Sequence, residues 1–172
     1  MTPALGVQVR PATPDDALAV AALVAARDLP PEGLDRAWRT WVADHDGRVV
    51  GTASLERHDD AVLLRSLAVA ADHAGAGIGA QLVEAALQAA DGIGPVALLT
   101  ETAAAWFPRF GFAVTSRDQL PAALAASAQL QHACPASATA MIRAITGPRP
   151  GKVPAARPAS GRARTRLAVG RR

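Results

Sequence analysis

The run AVLLRSLAV, from Ala61 to Val69, is almost wholly apolar. A strand with one wet face alternates apolar and polar residues; a strand without that alternation is covered on both faces. The run therefore predicts a central strand, which needs neighbouring strands on either side and helices above and below. The flanking sequence supplies both. Val7 to Arg10 alternates and reads as a first strand. Thr13, Pro14, Asp15 and Asp16 form a helix start, with a capping hydroxyl, a proline at the first position and carboxylates in the first turn. That helix should run to near Arg27 with Leu18, Leu23 and Val24 on its buried side, until DLPPEG breaks it. A short helical turn is expected at Leu34 to Arg36. Trp38 to Ala43 alternates, with Trp38, Thr40 and Val42 on one side. Asp46-Gly47 is a hairpin signal, and Val49 to Leu55 is the return strand. A turn at His58 to Asp60 leads into the central run. Beyond it come a helix from about Gly77 to Ala90, with Leu82, Val83, Ala86 and Leu87 as its buried stripe, and a second central strand, Pro95 to Thr100. A short helix at Ala103 to Phe110, a strand at Phe112 to Thr115, a short helix at Pro121 to Ala126 and a last strand at Ser137 to Ile145 complete the order. Hairpins followed by a strand–helix–strand unit predict an α/β fold: a mixed sheet of about seven strands with helices on both faces.

The charge is unevenly spread. All 15 acidic residues lie between Asp15 and Asp118, whereas eight of the 18 basic residues follow Thr146. The net charge of +3 thus hides a negative body and a positive tail. Residues 1–146 read as one domain and 147–172 as a Pro/Gly/Arg-rich disordered tail. The tail has no interleaved aromatics for base stacking, which argues against nucleic acid. A single cysteine, Cys134, rules out an internal disulfide and a cysteine-rich metal site; a buried structural role is expected for it. His58, His73 and His132 have no metal-site spacing and read as loop or surface residues. Trp38, Trp41 and Trp106 read as core or cleft wall. The N-terminus lacks a signal-peptide pattern, and no apolar run reaches the length of a membrane span, so a cytoplasmic protein without membrane contact is expected.

The stretch HAGAGIGAQLV places Gly75, Gly77 and Gly79 between the central strand and the helix. Bare backbone at a helix start suits an anion, because unpaired N–H groups and the helix dipole both point at it. A phosphate loop of the P-loop kind needs Gly-Lys-Ser/Thr, but Ala80 and Gln81 follow Gly79. A dinucleotide fingerprint needs a different glycine spacing beside the first strand. Glycine spacing alone leaves a ligand-free turn equally open.

The longer pattern SLAV, then AGAGIGAQLVEAAL, resembles motif A of the GNAT superfamily of acyl-CoA-dependent N-acetyltransferases. AAAWFPRFGF, Ala103 to Phe112, resembles that family's second motif. The resemblance covers roughly residues 7 to 145. DLP at Asp28, LLRSLAV at Leu63, LLTETA at Leu98 and CPASA at Cys134 look like the arsenic-resistance N-acetyltransferase-like subgroup. The resemblance implies the GNAT fold, with acetyl-CoA as co-substrate, no metal, and a small-molecule amine as acceptor. It leaves a homodimer open.

Carried over residue by residue, the resemblance implies that the backbone of Gly75, Ala76, Gly77, Ile78, Gly79 and Ala80 holds the coenzyme pyrophosphate. Leu67, Ala68 and Val69 would pair with the pantetheine arm like an added strand. The family's basic loop side chains fall at Ala74 and Ala76, so binding should lean on backbone and dipole, with a shallow salt dependence. Phe107 stands where many members carry a proton-donating tyrosine, and the chain has no tyrosine. Glu56 and Glu101 are the candidate bases or ammonium anchors; each can equally be a surface or paired carboxylate. Arg65 and Ser66 are candidate substrate contacts, Arg65 for an acidic group such as a carboxylate or arsinate, although a salt bridge to a neighbouring strand is as good a reading. The expected activity is acetyl transfer to a small, anionic, amino-acid-like amine, an arsenical among the candidates. A silent acyl-CoA-binding module and a protein lysine acetyltransferase are the alternatives.

Overall fold

Two tight turns set the first half of the sheet. Asp46 and Gly47 both have left-handed backbone, with φ 51° and 81°, the twist that matches a two-residue hairpin to its strands. They join β2 (Arg39–His45) to β3 (Arg48–His58). Asp59, at φ 46°, turns β3 into β4 (Ala61–Val69). With β1 (Val7–Pro11) beside β2, four antiparallel strands run in succession. A crossover through the helix α2 (Ile78–Ala90) then brings β5 (Val96–Thr100) parallel to β4. The last strands are β6 (Ala113–Thr115) and β7 (Thr139–Arg143), and the seven-stranded order is β1-β2-β3-β4-β5-β7-β6. This computed structural model describes residues 6–144. Ile145 and the basic tail lie outside the described residues.

Strand alternation sends neighbouring residues to opposite faces. Trp41, Ala43, Ala53 and Leu55 cluster with Ile78, Leu82, Val83, Ala86 and Leu87 of α2. Val42, from the other face, meets Val20 and Val24 of the helix α1 (Ala17–Ala25). Ala61, Leu63 and Ala97 are covered on that second face by Leu120 and Leu124. The central strand is therefore buried on both faces. Among the described residues no helix is long and apolar enough to cross a membrane.

Two local expectations are corrected, and one element is new. Leu18 is 86% exposed. The buried set of α1 is Val20, Leu23 and Val24, an i, i+3, i+4 group, and Leu18 lies two positions from Val20 and so on the far side. The segment from Ala103 is mostly turn, with only a 3-10 turn at Phe107–Phe110; Pro108 lacks the N–H that a longer helix would need there. An unanticipated π-helical turn, Gln129–Ala133, precedes β7.

The entry to α1 is pinned by charge. The Asp16 carboxylate accepts from the Thr13 N–H at 2.7 Å and from Arg10 at 2.8 and 3.0 Å, and Arg10 also reaches Asp44 at 2.8 Å. The hydrogen bonds from Arg10, then that from the Thr13 N–H, hold the Asp16 carboxyl well below the usual carboxylate range. A carboxyl depressed in the folded state stabilises above its unfolded value and loses that contribution as pH falls. Asp16→Asn should therefore destabilise at neutral pH by about 1 kcal/mol. Its deficit against the wild type should shrink as pH drops below about 4, measured by urea unfolding at a series of pH values. Gly94 is a separate constraint. A Cβ there would lie 1.6 Å from the Asp60 carbonyl oxygen, where β4 and β5 begin to run together. Gly94→Ala should cost about 3 kcal/mol or more, read as a fall in the urea midpoint.

Candidate active site

The site begins where two parallel strands part. β4 and β5 pair only at Val62↔Val96 and Leu63↔Ala97. Along its other edge β5 pairs with β7 over its whole length, from Val96↔Arg143 to Thr100↔Thr139, so beyond Ala97 that edge alone is paired. On β4 the register against β3 slips between Thr52↔Ala68 and Ser54↔Arg65, which leaves an extra residue on β4. Ser66 takes it up with a left-handed φ of 51°. Such a bulge bends and twists its strand, so Leu67–Val69 diverges from β5 with one backbone edge unpaired. Left-handed backbone costs a non-glycine residue about 1 kcal/mol; here Arg65 Nε donates to Ser66 Oγ at 3.2 Å and supports it.

Leu67, Ala68 and Val69 line a cleft of about 830 Å³ together with the whole loop Gly75 to Ala80. Gly75 and Gly77 have φ of 81° and 79°, a conformation that side chains resist. Gly77 is the N-cap of α2, so the first N–H groups of that helix are free to face the cleft. The loop has no basic side chain of its own, yet the cleft is not without cations. Arg27, just beyond α1, and Arg109, in the 3-10 turn, both line it, with Arg109 over the Trp106 ring at 5.3 Å. Neither was legible from the loop motif. His73 also lines it, bridging His45 at 2.9 Å and Asp72 at 2.9 Å. An amide cradle, two guanidinium groups and a free strand edge suit a diphosphate carrying a long amide-containing arm. Coenzyme A has that composition.

A second cavity of about 390 Å³ continues past Arg27 and Leu67, which line both spaces. Its floor is Leu64, Leu98 and Leu99, and its walls are Asp28 to Pro30 on one side and Gln129, Cys134, Pro135 and Ala138 on the other. Glu101, directly after β5, lines it and is exposed. Phe107 lines it too, packed edge-on against Trp106 at 5.1 Å and Phe112 at 5.6 Å. Cys134 is half-buried at this cavity rather than sealed in the core, and burial pushes its thiol pKa up.

Glu56, Arg65 and Ser66 are brought together, but beneath the clefts rather than on their linings. Arg65 is fully buried and pairs with Glu56, which also meets His58 at 3.1 Å. Arg65 further donates to the Pro30 carbonyl at 3.2 Å. Glu101 is thus separated from Glu56, and with Asp28 it supplies the carboxylates of this cavity's lining. Trp41 is core, Trp106 is cleft wall, and Trp38 lies under Arg39 at 4.8 Å. Among the described residues no group of three or more His, Cys, Asp or Glu could hold a metal ion.

The two arginines change the electrostatic expectation for the cleft. Arg109→Ala and Arg27→Ala should each weaken acetyl-CoA binding by about threefold to tenfold and flatten its salt dependence. Calorimetric titration at several ionic strengths checks this; affinities equal to wild type at low salt would place both side chains outside the binding site.

Comparison with known proteins agrees with this geometry. Residues 36–114 match the family described as acetyltransferase (GNAT) domain. No curated protein is detectably similar in sequence. Among solved structures, N-acetylglutamate synthase from Neisseria gonorrhoeae, complexed with coenzyme A and N-acetyl-glutamate, is 24% identical with a TM-score of 0.69, over 82% of this chain and 35% of that one. The chain thus spans about a third of that relative. A Mycobacterium tuberculosis protein solved with CoA is 24% identical, TM-score 0.65, over 81% of this chain and 99% of that one. A GNAT family N-acetyltransferase from Escherichia coli, in complex with CoA, is 28% identical, TM-score 0.54, over 66% and 72%. Residues 36–114 thus resemble an acetyltransferase (GNAT) domain, and the chain has the GNAT fold.

Proposed function

We propose that this protein is an acyl-CoA-dependent N-acetyltransferase that moves acetyl from acetyl-CoA to the amine of a small amino-acid-like compound. The observation that carries the reading is the parting of β4 from β5, which joins the glycine-loop cleft to the Glu101 cavity at Leu67. The free edge of Leu67–Val69 pairs with the pantetheine arm, and the amides of Gly75 to Ala80 with Arg27 and Arg109 hold the phosphates. Acetyl-CoA supplies an activated acyl carbon in its thioester. Peptide N–H groups of the diverging strand polarise the thioester carbonyl and stabilise the charge that develops on its oxygen. Glu101 takes the proton from the acceptor ammonium, directly or through water, so that the neutral amine can attack. The N–C bond forms as the C–S bond breaks, and the second proton of the attacking nitrogen leaves to water. With Phe107 in the tyrosine position, the leaving thiolate takes its proton from water, which is feasible because thiols titrate at about 8.5. Glu56 and Arg65 serve this site as a support for the bulge and for Pro30, and Ser66 serves it through its backbone.

An acceptor cavity walled on both sides favours a small molecule over a lysine on a protein surface. The ligand of the Neisseria relative, N-acetyl-glutamate, is in keeping with an amino-acid-like amine. The subgroup resemblance adds arsenical amino acids to the candidates. Thiol release from acetyl-CoA across acidic, phosphinate and arsenical amino acids tests the reading. Release that depends on one amine supports it and identifies the acceptor class. Binding of acetyl-CoA with no amine-dependent release would leave an acyl-CoA-binding module. Glu101→Gln should lower kcat by about 100-fold with acetyl-CoA affinity unchanged; unaltered turnover would remove Glu101 as the base.

A further inference from the structure

We infer that Gln129 determines acceptor specificity, selecting amines whose far end carries a neutral group that both donates and accepts a hydrogen bond, such as a carboxamide. The inference rests on the acetyltransferase reading above. Gln129 is 5% exposed and lines the acceptor cavity. It opens the π-helical turn Gln129–Ala133, and its backbone is satisfied: its N–H donates to Ser127 Oγ at 3.3 Å, and its carbonyl accepts from the Cys134 N–H at 3.2 Å. Its side-chain carboxamide makes no hydrogen bond to another described residue. The structure thus sets a nearly buried amide side chain at a residue that lines the cavity. An amide buried without a partner is destabilising, and π turns recur at functional sites because their extra residue re-aims side chains.

The preference for a neutral end follows from the chemistry of the amide. A carboxamide offers two N–H donors and one carbonyl acceptor. A ligand carboxylate satisfies the donors but repels the carbonyl, and a hydrocarbon satisfies neither. A ligand carboxamide satisfies both. The cation of this cavity, Arg27, stands at its junction with the coenzyme cleft. The wall formed by Gln129, Cys134, Pro135 and Ala138 carries no charge to hold an anion. An amino acid can thus set its amine toward Glu101 and a neutral polar end toward Gln129.

The test uses glutamine, glutamate and norleucine, amines of similar size that differ at the far end. Thiol release from acetyl-CoA is measured with wild type and with Gln129→Met. Wild type should favour glutamine over both others by about tenfold or more in kcat/KM, since a site built to hydrogen-bond rejects analogues that cannot. Gln129→Met should collapse the glutamine-to-norleucine ratio toward one. A wild-type ratio near one, or a ratio unchanged in the variant, overturns the inference. Where no amine is turned over, calorimetry with CoA present decides. N-acetylglutamine held about tenfold more tightly than N-acetylnorleucine keeps Gln129 as the reader while rejecting the transferase reading. Equal binding, or binding of neither, rejects the role of Gln129.

Discussion

The ion pair between Arg65 and Glu56 is the interaction on which the site depends. It lies between β3 and β4 with the Arg65 side chain fully buried. Two charges taken from water gain little net stability from each other, yet removing one partner from such a pair costs about 3–5 kcal/mol. Its value here is positional. The same guanidinium reaches Ser66 Oγ, at the left-handed residue of the bulge, and the Pro30 carbonyl, on the wall of the acceptor cavity. One buried side chain thus links the strand that parts, the residue that makes it part and the loop that encloses the acceptor. A hydrocarbon in its place could fill the volume but could not hold three polar partners in register. That is a physical reason for an arginine inside an otherwise apolar central strand.

Charge in the coenzyme cleft is arranged on the same economy of position. The loop contributes backbone dipoles and no formal charge. Formal charge comes from Arg27 and Arg109, on segments that are remote in sequence and exposed. Exposed guanidinium groups are screened by salt, whereas the amides of the loop are fixed by Gly75, Gly77 and the start of α2. On the proposed reading, orientation of a diphosphate would belong to the backbone, and the arginines would add attraction that depends on ionic strength.

Much of this fold was legible because its signals are local. Apolar continuity marked β4, Asp46-Gly47 marked the hairpin, and glycines followed by an apolar stripe marked α2. The features that escaped are decided by contacts between distant segments. No residue preference announces the bulge at Ser66; it is visible only in the pairing of β3 with β4. Leu18 is apolar and on a helix, but its face meets solvent because the sheet lies under Val20 and Val24. Arg27 and Arg109 converge on the loop through folding alone. Glu56 and Glu101 looked equivalent in sequence, and the difference between them is that Arg65 stands beside one and not the other.

The two halves of the site are built from different kinds of structure. The coenzyme cleft is formed by a strand end, a glycine loop and a helix start, all tied to the central sheet. The acceptor cavity takes its walls from Asp28 to Pro30 and from the segment between the π turn and β7. Backbone in such segments is free of the sheet's hydrogen-bond register, so its side chains can change without moving the strands of the cleft. Under the proposed acetyl transfer, position along the fold would separate the transfer step, at the parting of β4 and β5, from acceptor choice, at the side chains of the irregular walls. The inferred reader on the far wall, the Gln129 carboxamide, is set there by a turn whose spacing differs from that of an ordinary helix.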